Sequence, residues 1–274
     1  MFKNILKSVA WISLYFATSI IGSIIAVIIY LLFGIIPIPD NIDNPNILMD
    51  FTMELIAKSA IPGIIITSLI CITLYIFYKL IKKDTIKIAD IDVRKVIFCI
   101  GLGLFLNAIL SIFLTLLSPI IPSAFNNTLN DMLNMVLAGN PIVVLLGTGI
   151  LGPIMEEIIF RHGIHRTLSR SNVIVGYVIS SLLFGLAHGN LLQGAYATVL
   201  GLIFAFILTN TDNLLYPILI HMTINTSSTI ISFLPEDTPE LLILVIMFAI
   251  SLMLIVPLIK TNSVKQLFTK TENI

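Results

Sequence analysis

From Val9 to Ile36 the chain carries no charged side chain at all. A helix of that length, at about 1.5 Å per residue, is longer than the roughly 30 Å of hydrocarbon in a bilayer. Seven further apolar windows follow, at Ala60–Leu80, Val96–Ile120, Pro141–Phe160, Val173–His188, Leu191–Asn210, Leu214–Leu234 and Leu241–Lys260. No water-soluble core accommodates so many such stretches. Composition agrees: 11% of the residues are charged, against about 25% in soluble domains.

In hydrocarbon the backbone must satisfy its own hydrogen bonds, so each window reads as a helix. The expectation is an all-α, polytopic membrane bundle of about eight transmembrane helices, forming one transmembrane domain over residues 1–274. Eight crossings put both termini on one side. The segments assigned to that side, with the helix ends bordering them, hold fourteen of the fifteen Lys and Arg residues. Lys58 alone falls opposite, among Asp40, Asp43, Asp50, Glu54, Asp131, Glu236, Asp237 and Glu240. By the positive-inside rule both termini are cytoplasmic. Lys3 and Lys7 precede an apolar run too long for a cleavable signal, so it reads as the first span.

The remaining composition narrows the function classes. Net charge is zero, so nothing points to nucleic acid. Cys71 and Cys99 lie in apolar runs and read as buried free thiols. The outer segments 37–58 and 121–140 are longer than turns require, and each has room for a short interfacial helix or a lid. The segment 81–95 reads as a solvated connector. Abundant Ile and Asn suggest an AT-rich bacterial source, hence a bacterial cell membrane.

Within the fourth window stand Glu156 and Glu157, with Arg161 four residues after the latter. An ionisable side chain at the centre of a membrane helix costs roughly 2.5–3.5 kcal/mol even on insertion-based scales, so an intramembrane charge reads first as functional. Glu157 and Arg161 share a helix face, as do His221 and Asn225. Glu156 points about 100° away from Glu157, from which the two carboxylates are not expected to take the same partner. Counted from the turns near Ser171 and Asp212, Glu156 and His188 rise roughly 22 and 25 Å, His221 and Asn225 roughly 13 and 19 Å. All four fit one slab of the bundle. Asn107, Tyr216 and Pro217 read as packing or entry-shaping residues. Gly147, Gly149, Gly152 and Pro153 are expected to loosen the helix ahead of the glutamates.

Carboxylate and imidazole together activate water: Glu156 can accept its proton while His188 holds it. His221 and Asn225, one turn apart, can donate to a developing oxyanion. The set is suited to acyl hydrolysis without a Ser or Cys nucleophile. No cofactor is required, although Glu156, His188 and His221 are also allowed zinc ligands. A proton-relaying transporter is a competing class, disfavoured because no internal repeat or paired half-span is visible.

The ordered motifs are Glu156-Glu157-Ile158-Ile159-Phe160-Arg161, Phe184-Gly185-Leu186-Ala187-His188 and His221-Met222-Thr223-Ile224-Asn225. Their order, spacing and apolar setting resemble the CPBP (Abi) family, over about residues 141–235. That family includes type II CAAX prenyl endopeptidases and bacteriocin-processing or self-immunity proteins. The resemblance implies an eight-helix intramembrane protease in which Glu156 and His188 activate water and His221 with Asn225 forms the oxyanion hole. Glu157, Arg161 and Phe184 would then support the site. Both metallo- and metal-free mechanisms belong to the family. The implied substrate is a membrane-associated peptide or protein, prenylated or of bacteriocin or pheromone type. A non-catalytic immunity or scaffold protein of the same fold is the alternative. One departure is His162, where the family usually has Gly; Gly163 follows here.

Overall fold

The computed structural model describes residues 1–82, 91–120, 139–235 and 237–269. Eight principal helices and a short ninth account for nearly all of it, and the described residues contain no strand. They are α1 (Phe2–Leu32), α2 (Pro45–Ile81), α3 (Val93–Leu117), α4 (Pro141–Ser169), α5 (Val173–Ala187), α6 (Leu191–Thr211), α7 (Leu215–Ser232), α8 (Glu240–Ile255) and α9 (Asn262–Lys265). Five of them, α1, α2, α3, α4 and α6, are long and apolar enough to cross a membrane; α5 and α8 are shorter apolar helices. The fold is an all-α membrane bundle. The connector residues 83–90, residues 121–138 of the second outer segment, Glu236 and Lys270 lie outside the described residues.

The first outer segment is shorter than its sequence suggests. Asn44 caps α2, its side chain accepting the Asn46 N–H at 3.0 Å, and Pro45 occupies the first turn, where a missing N–H costs nothing. The helix therefore starts at Pro45, and residues 45–58, expected in a loop, are its first turns. Only 37–44 remain as a connection. At 37 residues, α2 spans about 55 Å, far more than the hydrocarbon alone requires.

Helix α4 occupies the centre, packed against α1, α2, α5 and α7. Half of its most apolar window is buried, against 17% for α1. It is not one regular helix: π-helical turns run over Leu145–Leu151 and Glu157–His165, separated by an α-helical turn at Gly152–Glu156. The loosening expected from the Gly and Pro cluster thus takes the form of a changed hydrogen-bond register.

One end of the bundle gathers both described termini. Asn4 donates to Ser171 Oγ at 2.8 Å. Arg166 pairs with Asp212 at 2.6 Å, tying the end of α4 to the α6–α7 turn. The α9 region docks here too: Asn210 donates to the Leu267 carbonyl, Lys95 to Gln266, and Val264 and Leu267 are buried. Cys71 and Cys99 are free and buried; Cys71 meets Thr18 across the α1–α2 contact.

Candidate active site

Pro153 shapes the site through the hydrogen bond it cannot make. The Gly152 N–H bonds to Gly147 O, five residues back. The next N–H in that register would reach Thr148 O, and in α-helical register Gly149 O. Residue 153 is proline, which has no N–H. Both carbonyls are instead taken from α7: Asn225 donates its side-chain N–H to Thr148 O at 3.1 Å, and Thr226 its hydroxyl to Gly149 O at 3.2 Å. Gly149 permits this approach, since a Cβ there would lie 2.9 Å from Thr226 Oγ1. In a bilayer, freed backbone groups need such replacement partners. The same two bonds fix α7 against α4 immediately before the glutamates.

One turn further on, His221 of α7 lies between the two carboxylates. Its Nδ1 is 3.1 Å from Glu157 Oε1, and its Nε2 is 3.6 Å from Glu156 Oε2. The expectation that adjacent glutamates take different partners is corrected here. An imidazole presents nitrogens on opposite edges of its ring, so two carboxylates about 100° apart can each take one. Glu157 and Arg161 are fully buried, and Arg161 Nε stands 3.3 Å from Glu157 Oε2. Glu156 is the more accessible carboxylate, its side chain 19% exposed.

His188 occupies the end of α5 rather than its interior. The helix stops at Ala187, Gly189 turns the chain with φ of +69°, and Asn190 caps α6 by accepting the Gln193 N–H. His188 Nδ1 lies 2.8 Å from the Phe184 carbonyl. A carbonyl only accepts, so Nδ1 carries the proton and Nε2 is left with its lone pair. The bond also satisfies one of the carbonyls that a helix C-terminus leaves open.

Aromatic rings join these groups. Phe184 meets His188 and His221 edge-on, with centroids 4.9 and 5.5 Å apart, and the Arg161 guanidinium lies 4.6 Å from its ring centre. Phe204 of α6 stacks on His221 at 5.0 Å with 24° between planes. His188, His221 and Asn225 line one cavity of about 100 Å³ with Phe184, Phe204 and Tyr196. Phe204 and Tyr196 were not anticipated from sequence, because aromatic residues on an uncharged apolar helix look like any packing residue. Asn107, read above as a packing residue, lines the same cavity and bonds Ser227 at 2.8 Å.

Among the described residues no three His, Cys, Asp or Glu side chains gather as a metal-binding group. His221 Nδ1 faces Glu157 and His188 Nδ1 a carbonyl, an arrangement that leaves the Nε2 of each ring available to a metal or to water. At the departure from the motif, His162 packs edge-on against Trp11 and Tyr75. A Cβ at Gly163 would strike the Trp11 ring at 2.5 Å. The Gly that α1 needs is therefore one position later, away from the cavity.

All seven motif residues fall within a stretch, 138–227, that matches the family model described as type II CAAX prenyl endopeptidase Rce1-like. A Bacillus subtilis (strain 168) protein named "Putative membrane peptidase YdiL" is 35% identical over 101 residues, 36% of this chain and 41% of that protein. The match thus spans less than half of that relative. No solved structure matches the chain significantly. Together with the apolar helices, these matches describe an integral, multi-pass membrane protein. Motifs and family match coincide on the same residues, and through 138–227 the chain is similar to the type II CAAX prenyl endopeptidase Rce1-like family.

Proposed function

We propose that the protein is an intramembrane endopeptidase that hydrolyses a peptide bond in a membrane-associated or lipid-modified peptide or protein. The observation that carries this reading is His221 held between two carboxylates at the edge of a cavity that His188 and Asn225 also line. The cavity has room for several waters. In the proposed route Glu156 accepts a proton from a water that also bonds the free Nε2 of His188. The water oxygen attacks the scissile carbonyl. Asn225 has a second amide N–H beyond the one given to Thr148 to offer the oxyanion, and His221 adds a donor once its Nε2 is protonated. The peptide C–N bond then breaks as the amine takes up the proton.

The test is release of product from a membrane-embedded reporter peptide. Glu156→Ala and His188→Ala should each abolish cleavage while the protein still inserts and purifies as a folded species. Full activity in Glu156→Ala would end the assignment, and immunity-type protection that survives both substitutions would favour the non-catalytic alternative. The proposed steps use only the chain's own side chains, so cleavage should persist after chelation and dialysis. Loss on chelation with recovery on added zinc would make the route metal-dependent.

A further inference from the structure

We propose that Glu157 is the positioning residue of the site: it fixes the tautomer of His221, so that Nε2 serves as the station through which the water's proton travels from Glu156 to the departing amine. This rests on the peptidase reading above and gives Glu157 a chemical task beyond bracing Arg161.

The geometry has three parts. Glu157 is fully buried, and its Oε1 faces His221 Nδ1 at 3.1 Å. Its other oxygen faces Arg161 Nε at 3.3 Å, and Arg161 is itself pressed against the faces of Phe184 and Phe204. The Glu157 carboxylate has therefore little freedom to turn away. A carboxylate only accepts hydrogen bonds, and only the Glu157 contact is within hydrogen-bond distance, so the proton of the neutral imidazole sits on Nδ1. Nε2 then presents its lone pair toward Glu156, 3.6 Å away. Phe204, stacked at 5.0 Å, holds the ring plane.

This is the acid–base–orienter logic of catalytic triads: a buried carboxylate selects the tautomer and steadies the imidazolium that forms. The proton balance follows. Water gives one proton to Glu156 as its oxygen bonds to the carbonyl carbon. Glu156 passes that proton to Nε2, making an imidazolium opposite Glu157. Nε2–H first faces the oxyanion and then protonates the amine as the C–N bond breaks, which returns the imidazole to its starting tautomer. The water's second proton leaves with the new carboxyl group. Glu156, the more accessible member of the pair, meets the water, while Glu157 meets neither water nor substrate.

The experiment combines a spectrum with kinetics. In wild-type protein labelled with [15N]histidine in detergent micelles, His221, assigned by difference from His221→Gln, should show a protonated Nδ1 and an unprotonated Nε2. The opposite tautomer in the resting enzyme would overturn the proposal whatever the activity. Glu157→Gln should lower kcat by about 100-fold or more with KM within about threefold, and should shift the His221 signals away from the wild-type tautomer. That variant strands Arg161, so the charge-free double variant Glu157→Gln/Arg161→Met keeps the test available. If it folds and cleaves at the wild-type rate, Glu157 is only a brace and the proposal fails. If it folds, has lost the Nδ1–H tautomer and cleaves at least about 100-fold more slowly, the proposal stands. Absence of cleavage by the wild type itself would remove the peptidase reading and leave the tautomer assignment as measured.

Discussion

At the scale of single residues, the site is organised around one buried cation. Arg161 has no exposed surface; it faces Glu157 on one side and two aromatic rings on the others. Removing one member of a buried pair leaves an uncompensated charge, typically at a cost of about 3–5 kcal/mol. Arg161→Ala should therefore destabilise the protein by about that amount, seen as early unfolding in a denaturant titration in detergent. Arg161→Met paired with Glu157→Gln should recover most of the loss. If Arg161→Ala unfolds within about 1 kcal/mol of wild type, the carboxylate was not relying on it. The Glu157–Arg161 pairing was legible in the sequence because i,i+4 spacing is a one-helix property. The sharing of His221 by both glutamates was not. Angles on a single helix treat a partner as a point, whereas the imidazole meets α4 with two separate nitrogens. Phe204 was invisible for another reason: its role depends on which ring it covers, and apolar sequence carries no such information.

At the scale of helices, α4 and α7 form the working unit, and Pro153 explains how they are joined. The two carbonyls that an N–H at residue 153 would reach, Thr148 O and Gly149 O, are both taken by side chains of α7. Thr226→Val keeps the shape and deletes one donor. Interhelical hydrogen bonds in membrane proteins average about 0.6 kcal/mol and reach about 1.7, so a cost near 1 kcal/mol is expected. In a Pro153→Ala background, where the backbone donor is restored, the same change should cost less than about half as much. Equal costs in the two backgrounds, measured by a double-mutant cycle, would show that Thr226 does not compensate for the proline. The sequence made the Gly and Pro cluster and its loosening effect legible. It did not reveal the π-helical register, because a shift from i+4 to i+5 bonding changes no hydrophobic pattern and is decided by what the neighbouring helix can donate. The same limit applies to the start of α2, where an Asn cap and a first-turn Pro, not a loop, begin the helix at Pro45.

At the scale of the whole molecule, the apolar windows predicted the helices well because hydrocarbon allows so few backbone solutions. Orientation is the property that the charge pattern implies most strongly and that labelling tests most directly. Asn4, Ser171, Arg166, Asp212, Gln266 and Leu267 are linked by contacts at one end of the bundle. From the Lys and Arg bias we propose that this end faces the cytoplasm. Both native cysteines are buried, so a membrane-impermeant thiol reagent should label the wild type little. Asp40→Cys, in the exposed connection between α1 and α2, should be labelled in intact cells. Asn172→Cys, at the exposed α4–α5 turn, should be labelled only after permeabilisation. The reverse pattern would invert the molecule. It would also move the α4–α5 turn to the outer face, and with it the side from which a substrate is measured against the depth of Glu156. Equal labelling of both positions in intact cells would mean that α1 and α4 do not bring their ends to opposite faces, which would rule out the eight-crossing arrangement itself.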